Sequence, residues 1–105
     1  MSDIRYIDSA NLATLLQDKT DSLVLLDVRE PHEFAQGCIA NAVNMPLSSW
    51  DEEQVDYICK DKQVVIYCRS GTRTRIYEEQ FQDISALKIM VLTGGILAWQ
   101  HHLSS

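Results

Sequence analysis

Val64-Val65-Ile66-Tyr67-Cys68-Arg69-Ser70-Gly71-Thr72-Arg73 is the stretch on which the reading of this 105-residue chain turns. Its first four residues are apolar, and two are valine. A continuous short run of this kind suits a strand buried on both faces, as in a parallel sheet. Polar residues and a glycine follow at once. A helix is expected to begin near Gly71 or Thr72 and to reach about Phe81. That helix is weakly marked, because only Ile76, Tyr77 and Phe81 are clearly apolar. Cys68 thus stands where a strand hands over to a helix. In open α/β sheets this carboxyl end of a strand is where ligands bind.

Working outward, the same alternation continues. Leu23-Val24-Leu25-Leu26 is a second continuous apolar run, and Ile4-Arg5-Tyr6-Ile7 is a short alternating strand. Asp8 is placed to cap a helix whose apolar face is Leu12, Leu15 and Leu16. Pro31 to Gln36 reads as a short helix begun by proline and ended by Gly37. Ala42 to Met45 is a brief strand closed by Pro46. Ser49 or Asp51 is placed to cap a helix through Val55, Tyr57 and Ile58. Lys88 to Leu92 is a strand, Gly94-Gly95 a turn, and Ile96 to His101 a last helical segment with Trp99 in the core. Strands alternating with helices predict an α/β sandwich: three layers, α/β/α, around a mostly parallel sheet.

Bulk properties narrow the rest. The length fits one domain over residues 1–105, and 46% hydrophobic residues allow one modest core. No apolar stretch approaches the roughly 18 residues of a membrane span. The N-terminal Met-Ser-Asp-Ile-Arg lacks the basic and apolar parts of a signal peptide, so the cytoplasm is the expected location. A net charge of −6 argues against nucleic acid and anionic membrane as partners. Against that acidic background Arg69, Arg73 and Arg75 crowd beside one cysteine, which points to a small anion met there. Cys38, Cys59 and Cys68 are odd in number and have no CxxC spacing. Neither a disulfide framework nor a metal site follows, and no cofactor is implied.

The chemistry lies in what surrounds Cys68. A cysteine attacks as its thiolate, and a free thiol needs help to ionise at neutral pH. Arg69 and Arg73 offer positive charge. Backbone N–H groups of a loop entering a helix can converge on the sulfur, and Gly71 suits a tight cradle. Ser70 and Thr72 offer hydroxyl donors.

At this point the chain resembles the single-domain rhodanese family of sulfurtransferases. The likeness rests on four segments: Leu26 to Phe34, Gly37 to Pro46, Cys68 to Arg73 and Leu92 to Trp99. It implies a rhodanese-like domain with a five-stranded sheet. It also implies a double displacement in which Cys68 becomes a persulfide and passes its outer sulfur to a thiol or cyanide. Arg69, Ser70, Gly71, Thr72 and Arg73 would then bind the donor. Asp27 is expected to be a structural acceptor for a nearby loop, and Arg29 to pair with Glu33 at i,i+4 as scaffold. Three positions depart from the family pattern: Cys38 stands for a common His, Asn41 for a common Gly, and Thr74 to Glu79 lacks the usual small residues. Cys38 reads first as a buried structural residue and second as a resolving thiol.

Spacing separates the related chemistries. Phosphatases and arsenate reductases use Cys-x5-Arg, whereas Cys68 to Arg73 is Cys-x4-Arg, with Thr74 at the phosphatase arginine's position. The shorter ring suits a persulfide's terminal sulfur better than a tetrahedral oxyanion. The pattern is similar to that of thiosulfate-using members, and a protein persulfide is the other donor to expect. A non-enzymatic docking or sulfur-sensing module is the alternative reading, followed by a small-anion phosphatase or arsenate reductase.

Overall fold

Side chains alternate across β4 (Gln63–Tyr67), and that alternation builds the molecule. Val64, Ile66 and the following Cys68 enter one apolar layer with Leu26, Val28, Val55, Cys59 and Phe81. Val65 and Tyr67 enter the other, with Leu12, Leu25, Leu92, Ile96 and Trp99. Each fully buried side chain of this size contributes ~1.5–3 kcal/mol, so a strand apolar on both faces is held from both sides. The computed structural model describes residues 3–18 and 22–104.

The other strands are β1 (Ile4–Ile7), β2 (Leu23–Asp27), β3 (Val43–Asn44) and β5 (Lys88–Leu92). All five are parallel, in the order β1-β5-β4-β2-β3. β4 is therefore central, with Asp27 opposite Tyr67 and Val91 opposite Ile66. The helices are α1 (Ser9–Gln17), α2 (Pro31–Gln36), α3 (Glu52–Cys59), α4 (Thr72–Ile76), α5 (Glu78–Gln82) and α6 (Gly95–Leu103). The layer holding Leu12, Ile96 and Trp99 comes from α1 and α6, and the layer holding Val55, Cys59 and Phe81 from α3 and α5. Asp8 and Asp51 cap α1 and α3, accepting from the N–H of Asn11 at 2.8 Å and of Gln54 at 3.2 Å. No helix of the described residues is long and apolar enough to cross a membrane.

Two local differences from the sequence reading have physical causes. The helix expected from residue 71 to 81 is two short helices broken at Tyr77. Only Thr74 and Phe81 are buried there, while Ile76 and Tyr77 are exposed, so no continuous apolar stripe holds a straight helix on the sheet. Asn41, where glycine is common, has φ 68°. Asparagine tolerates this left-handed turn better than other side-chain-bearing residues, so the departure preserves the backbone.

Candidate active site

The carbonyls of Cys68 and Arg69 are held by the first turn of α6. Ile96 N–H donates to the Cys68 carbonyl at 2.9 Å, and Leu97 N–H to that of Arg69 at 3.0 Å. Close approach is what allows this. Gly95 lies at φ 61°, and a Cβ there would stand 2.5 Å from both carbonyl oxygens. The Gly94-Gly95 turn is therefore a seat for the loop as well as the start of a helix.

With its carbonyls turned away, the loop presents amides to the sulfur. Gly71, in the left-handed region at φ 97°, donates its N–H to Cys68 Sγ at 3.1 Å. Thr74 Oγ1 lies 3.7 Å from Sγ and 3.0 Å from the Gly71 carbonyl, to which it donates. Cys68 is almost wholly buried, and burial pushes its thiol up. The N–H and hydroxyl of Thr74, with the N–H groups of Gly71 and Arg73, more than offset this and leave it below the ordinary thiol range. The hydroxyl proton of Thr74 sits between two acceptors, the Gly71 carbonyl and Sγ. A thiolate draws it toward sulfur, and a protonated thiol releases it to the carbonyl.

Arg73 interacts electrostatically with Cys68, and its guanidinium has a second part that was not expected. Arg73 donates from Nη1 to Glu33 Oε1 at 2.8 Å and from Nη2 to Oε2 at 2.9 Å. This fork joins α4 to α2 and holds Glu33 at a pKa of about 2. Oε1 of Glu33 also takes the Glu30 N–H at 3.1 Å, at the start of α2. The expected Arg29–Glu33 pair is thus replaced by two others. Arg29 turns back to the fully buried Asp27, donating from Nη2 at 2.7 Å and from its backbone N–H at 2.9 Å. Its Nη2 also reaches the Gly37 carbonyl at 2.7 Å. Its guanidinium carbon lies 5.8 Å from the Tyr67 ring centre, and Tyr67 Oη accepts the Ile39 N–H at 3.1 Å. Burial of an aspartate needs this compensation, and an adjacent guanidinium provides it.

The remaining loop residues lie at the surface. Arg69 is exposed and makes no ion pair among the described residues. Ser70 and Thr72 are exposed and face each other, with hydroxyls 3.3 Å apart. The hydroxyl beside sulfur belongs instead to Thr74, which the sequence reading passed over as a position lacking arginine. Six residues after Cys68, it faces inward one turn into α4. Cys38 is exposed, contrary to the expectation of burial, because its neighbour Ile39 takes the inward position. Cys59 is buried among apolar groups, and its thiol is pushed up to about 11 by burial and then by Asp56.

Comparison with known proteins agrees with this fold. The model of the rhodanese-like domain matches residues 9–102. The chain belongs to the rhodanese-like family. A sulfurtransferase of Allochromatium vinosum is 37% identical over 94% of this chain and 91% of its own length. The solved structure of a rhodanese-related protein from Thermoplasma volcanium is 30% identical, with a TM-score of 0.75 over 93% of this chain and 92% of that one. The fold also matches part of a thiosulfate sulfurtransferase from Pseudomonas aeruginosa. That match has a TM-score of 0.80 and 23% identity, over 96% of this chain and 19% of that one. In this rhodanese-like chain the Cys68 loop sits at the carboxyl end of the central strand, bounded by α6 on one side and the Glu33–Arg73 fork on the other.

Proposed function

We propose that the protein moves sulfane sulfur through a persulfide on Cys68. The observation that carries this reading is a buried thiol with a lowered pKa, receiving an N–H at 3.1 Å in a loop of amides. With thiosulfate, Cys68 S⁻ attacks the outer sulfur. A new S–S bond forms, the bond to the sulfonate sulfur breaks, and sulfite leaves with the electron pair. The resulting Cys68–S–S⁻ keeps one negative charge, and the same amides that favoured the thiolate favour it. Cyanide or a thiol then takes the outer sulfur and returns the thiolate.

Arg69 is the cation that meets the donor's anionic end, since it is exposed and unpaired among the described residues. Arg73 braces the loop through Glu33. That engagement also favours sulfur over phosphoryl transfer, because a phosphatase needs its loop arginine on the oxyanion. A protein persulfide is the second donor to test. A reducing compartment, with the cytoplasm as the simplest case, suits three free thiols.

Mass spectrometry after incubation with thiosulfate tests the proposal. Wild type is expected to gain one sulfur, about 32 Da, at Cys68, and Cys68→Ser to gain none. An adduct on Cys38 or Cys59 would refute the site. Hydrolysis of an aryl phosphate without sulfur uptake would favour the phosphatase reading. Absence of both activities would favour a docking module.

A further inference from the structure

The two edges of the sheet are unlike. β3 closes one edge with only two residues. β1 closes the other with four, and its outer side meets no strand among the described residues. One bond fixes which backbone groups face outward there. Thr93 N–H donates to the Ile7 carbonyl at 2.8 Å, so Ile7 turns its polar backbone groups to β5. Alternation turns Arg5 the same way and leaves the N–H and C=O of Ile4 and Tyr6 pointing away from the sheet. A row of unpaired groups of this kind is a template for another strand.

The side chains beside the edge select the strand. Asp3 and Arg5 are exposed, and neither has an ion-pair partner among the described residues. Both border an open hollow of about 680 Å³, with Gln63, Leu87 and Lys88, where β4 and β5 begin. Leu87 there is 70% exposed. A closed pair of two identical chains has a two-fold axis, which runs edge strands antiparallel. Hydrogen bonds then form only where an outward residue faces an outward residue. Three registers within β1 satisfy this, with the axis at Ile4, Arg5 or Tyr6. The axis at Arg5 sets two guanidinium groups directly opposite each other, which is unfavourable. The axis at Tyr6 sets Arg5 against Ile7 of the second copy and leaves its charge unmatched. The axis at Ile4 lets the two Ile4 residues exchange both backbone bonds. It also sets Asp3 of each copy against Arg5 of the other, so the complementary pair occurs twice.

We infer that the β1 edge is a self-association surface, on which a second copy of this chain docks antiparallel about Ile4. The pairing doubles the five-stranded sheet. It brings a second strand to the border of the hollow at Asp3 and Arg5. Because the joined strands run in opposite directions, the two Cys68 loops lie at opposite ends of the doubled sheet and stay clear of the contact. The pairing uses no group of that loop, so it stands apart from the persulfide reading.

Sedimentation velocity of the full chain in reducing buffer, over a series of concentrations, tests it. Wild type is expected to show a reversible monomer–dimer equilibrium. Arg5→Asp sets carboxylates against carboxylates at both positions, and Asp3→Arg sets guanidinium groups together. Each is expected to raise the dimer's Kd by at least about tenfold. The double variant Asp3→Arg with Arg5→Asp restores the match and is expected to return Kd to within about threefold of wild type. An equimolar mixture of the two single variants is expected to form a heterodimer, since every facing pair is again opposite in sign. Ile4→Pro removes an outward N–H without touching the β5 ladder and is expected to abolish pairing. Where that variant fails to fold, the charge variants carry the test. Wild type that stays monomeric at every concentration would overturn the inference. A dimer indifferent to Arg5→Asp would overturn it too, by placing the contact on another face. Failure of both the double variant and the mixture to recover pairing would overturn the register about Ile4 and the inference with it.

Discussion

Cys59 and Cys68 are equally buried and belong to the same apolar layer, yet their thiols move in opposite directions. At Cys59, the last residue of α3, burial and then Asp56 push the thiol up to about 11. At Cys68 the same burial is outweighed by N–H groups and one hydroxyl. What differs is backbone direction. Cys59 follows helical turns whose amides are already bonded within the helix. Cys68 precedes a helix, where N–H groups are free to point at a ligand. Burial alone therefore makes an inert thiol, and burial beneath unsatisfied amides makes a reactive one.

Exchanging the roles of the two cysteines is the sharpest way to break this contrast. Cys68→Ser is expected to bring sulfur transfer to background, measured as thiocyanate formed from thiosulfate and cyanide. Cys59→Ala removes one buried sulfur, costs about 1 kcal/mol of stability, and is expected to leave turnover within twofold. Iodoacetamide at neutral pH should label Cys68 ahead of Cys59, read by peptide mass. Labelling of Cys59 first would mean that the amides do not govern ionisation.

Gly95→Ala attacks the seat of the loop rather than the sulfur. Its Cβ would stand 2.5 Å from the carbonyls of Cys68 and Arg69 at a φ of 61°. The left-handed conformation alone costs ~1–2 kcal/mol, and relief of the clash must displace the loop. Activity is expected to fall by more than tenfold, along with a lower Tm. Unchanged kinetics in this variant would show that the α6 bonds do not orient the amides. A smaller and cleaner effect is expected from Thr74→Val, which keeps the buried shape and removes the hydroxyl. The pH midpoint of Cys68 alkylation should rise, and transfer near neutrality should slow several-fold. An unmoved midpoint would leave the backbone N–H groups as the whole cause.

Much of this was legible because strands buried on both faces write themselves as continuous apolar runs. Val64 to Tyr67 and Leu23 to Leu26 both lie in central strands. The four family segments placed the loop at the sheet's carboxyl edge. Partner choice among the charges was not legible. Arg29 sits four residues before Glu33, and local spacing favoured that pair. Burial gave Arg29 to Asp27, two residues before it and otherwise a buried bare charge, and a tertiary contact gave Glu33 to Arg73, forty residues away. Thr74 was missed for a related reason. A threonine in a short helix carries no signal of its own, and only the turn at Gly71 brings its hydroxyl to the sulfur.

The Glu33–Arg73 fork gives the smallest expected effect and the one with a defined pH window. Glu33 has its pKa lowered from the usual 4.5 to about 2, chiefly by the hydrogen bonds from Arg73. A depressed carboxylate stabilises the fold above its unfolded pKa, and that stabilisation fades as pH falls toward about 2. The side chains of Arg73 and Glu33 are 32% and 20% exposed, so solvent screens the pair. Its worth is then no more than about 1 kcal/mol, or a Tm change of at most about 4–8 °C. Glu33→Gln is expected to melt lower than wild type at pH 7, with the gap closing as both are titrated through pH 4 to pH 2. If the gap persists at pH 2, the loss comes from packing at α2 and not from the charge. Release of Arg73 also frees a guanidinium beside the loop. The KM for thiosulfate is therefore expected to fall in Glu33→Gln while kcat falls with it, as the unbraced loop binds the dianion better and aligns the sulfur less well.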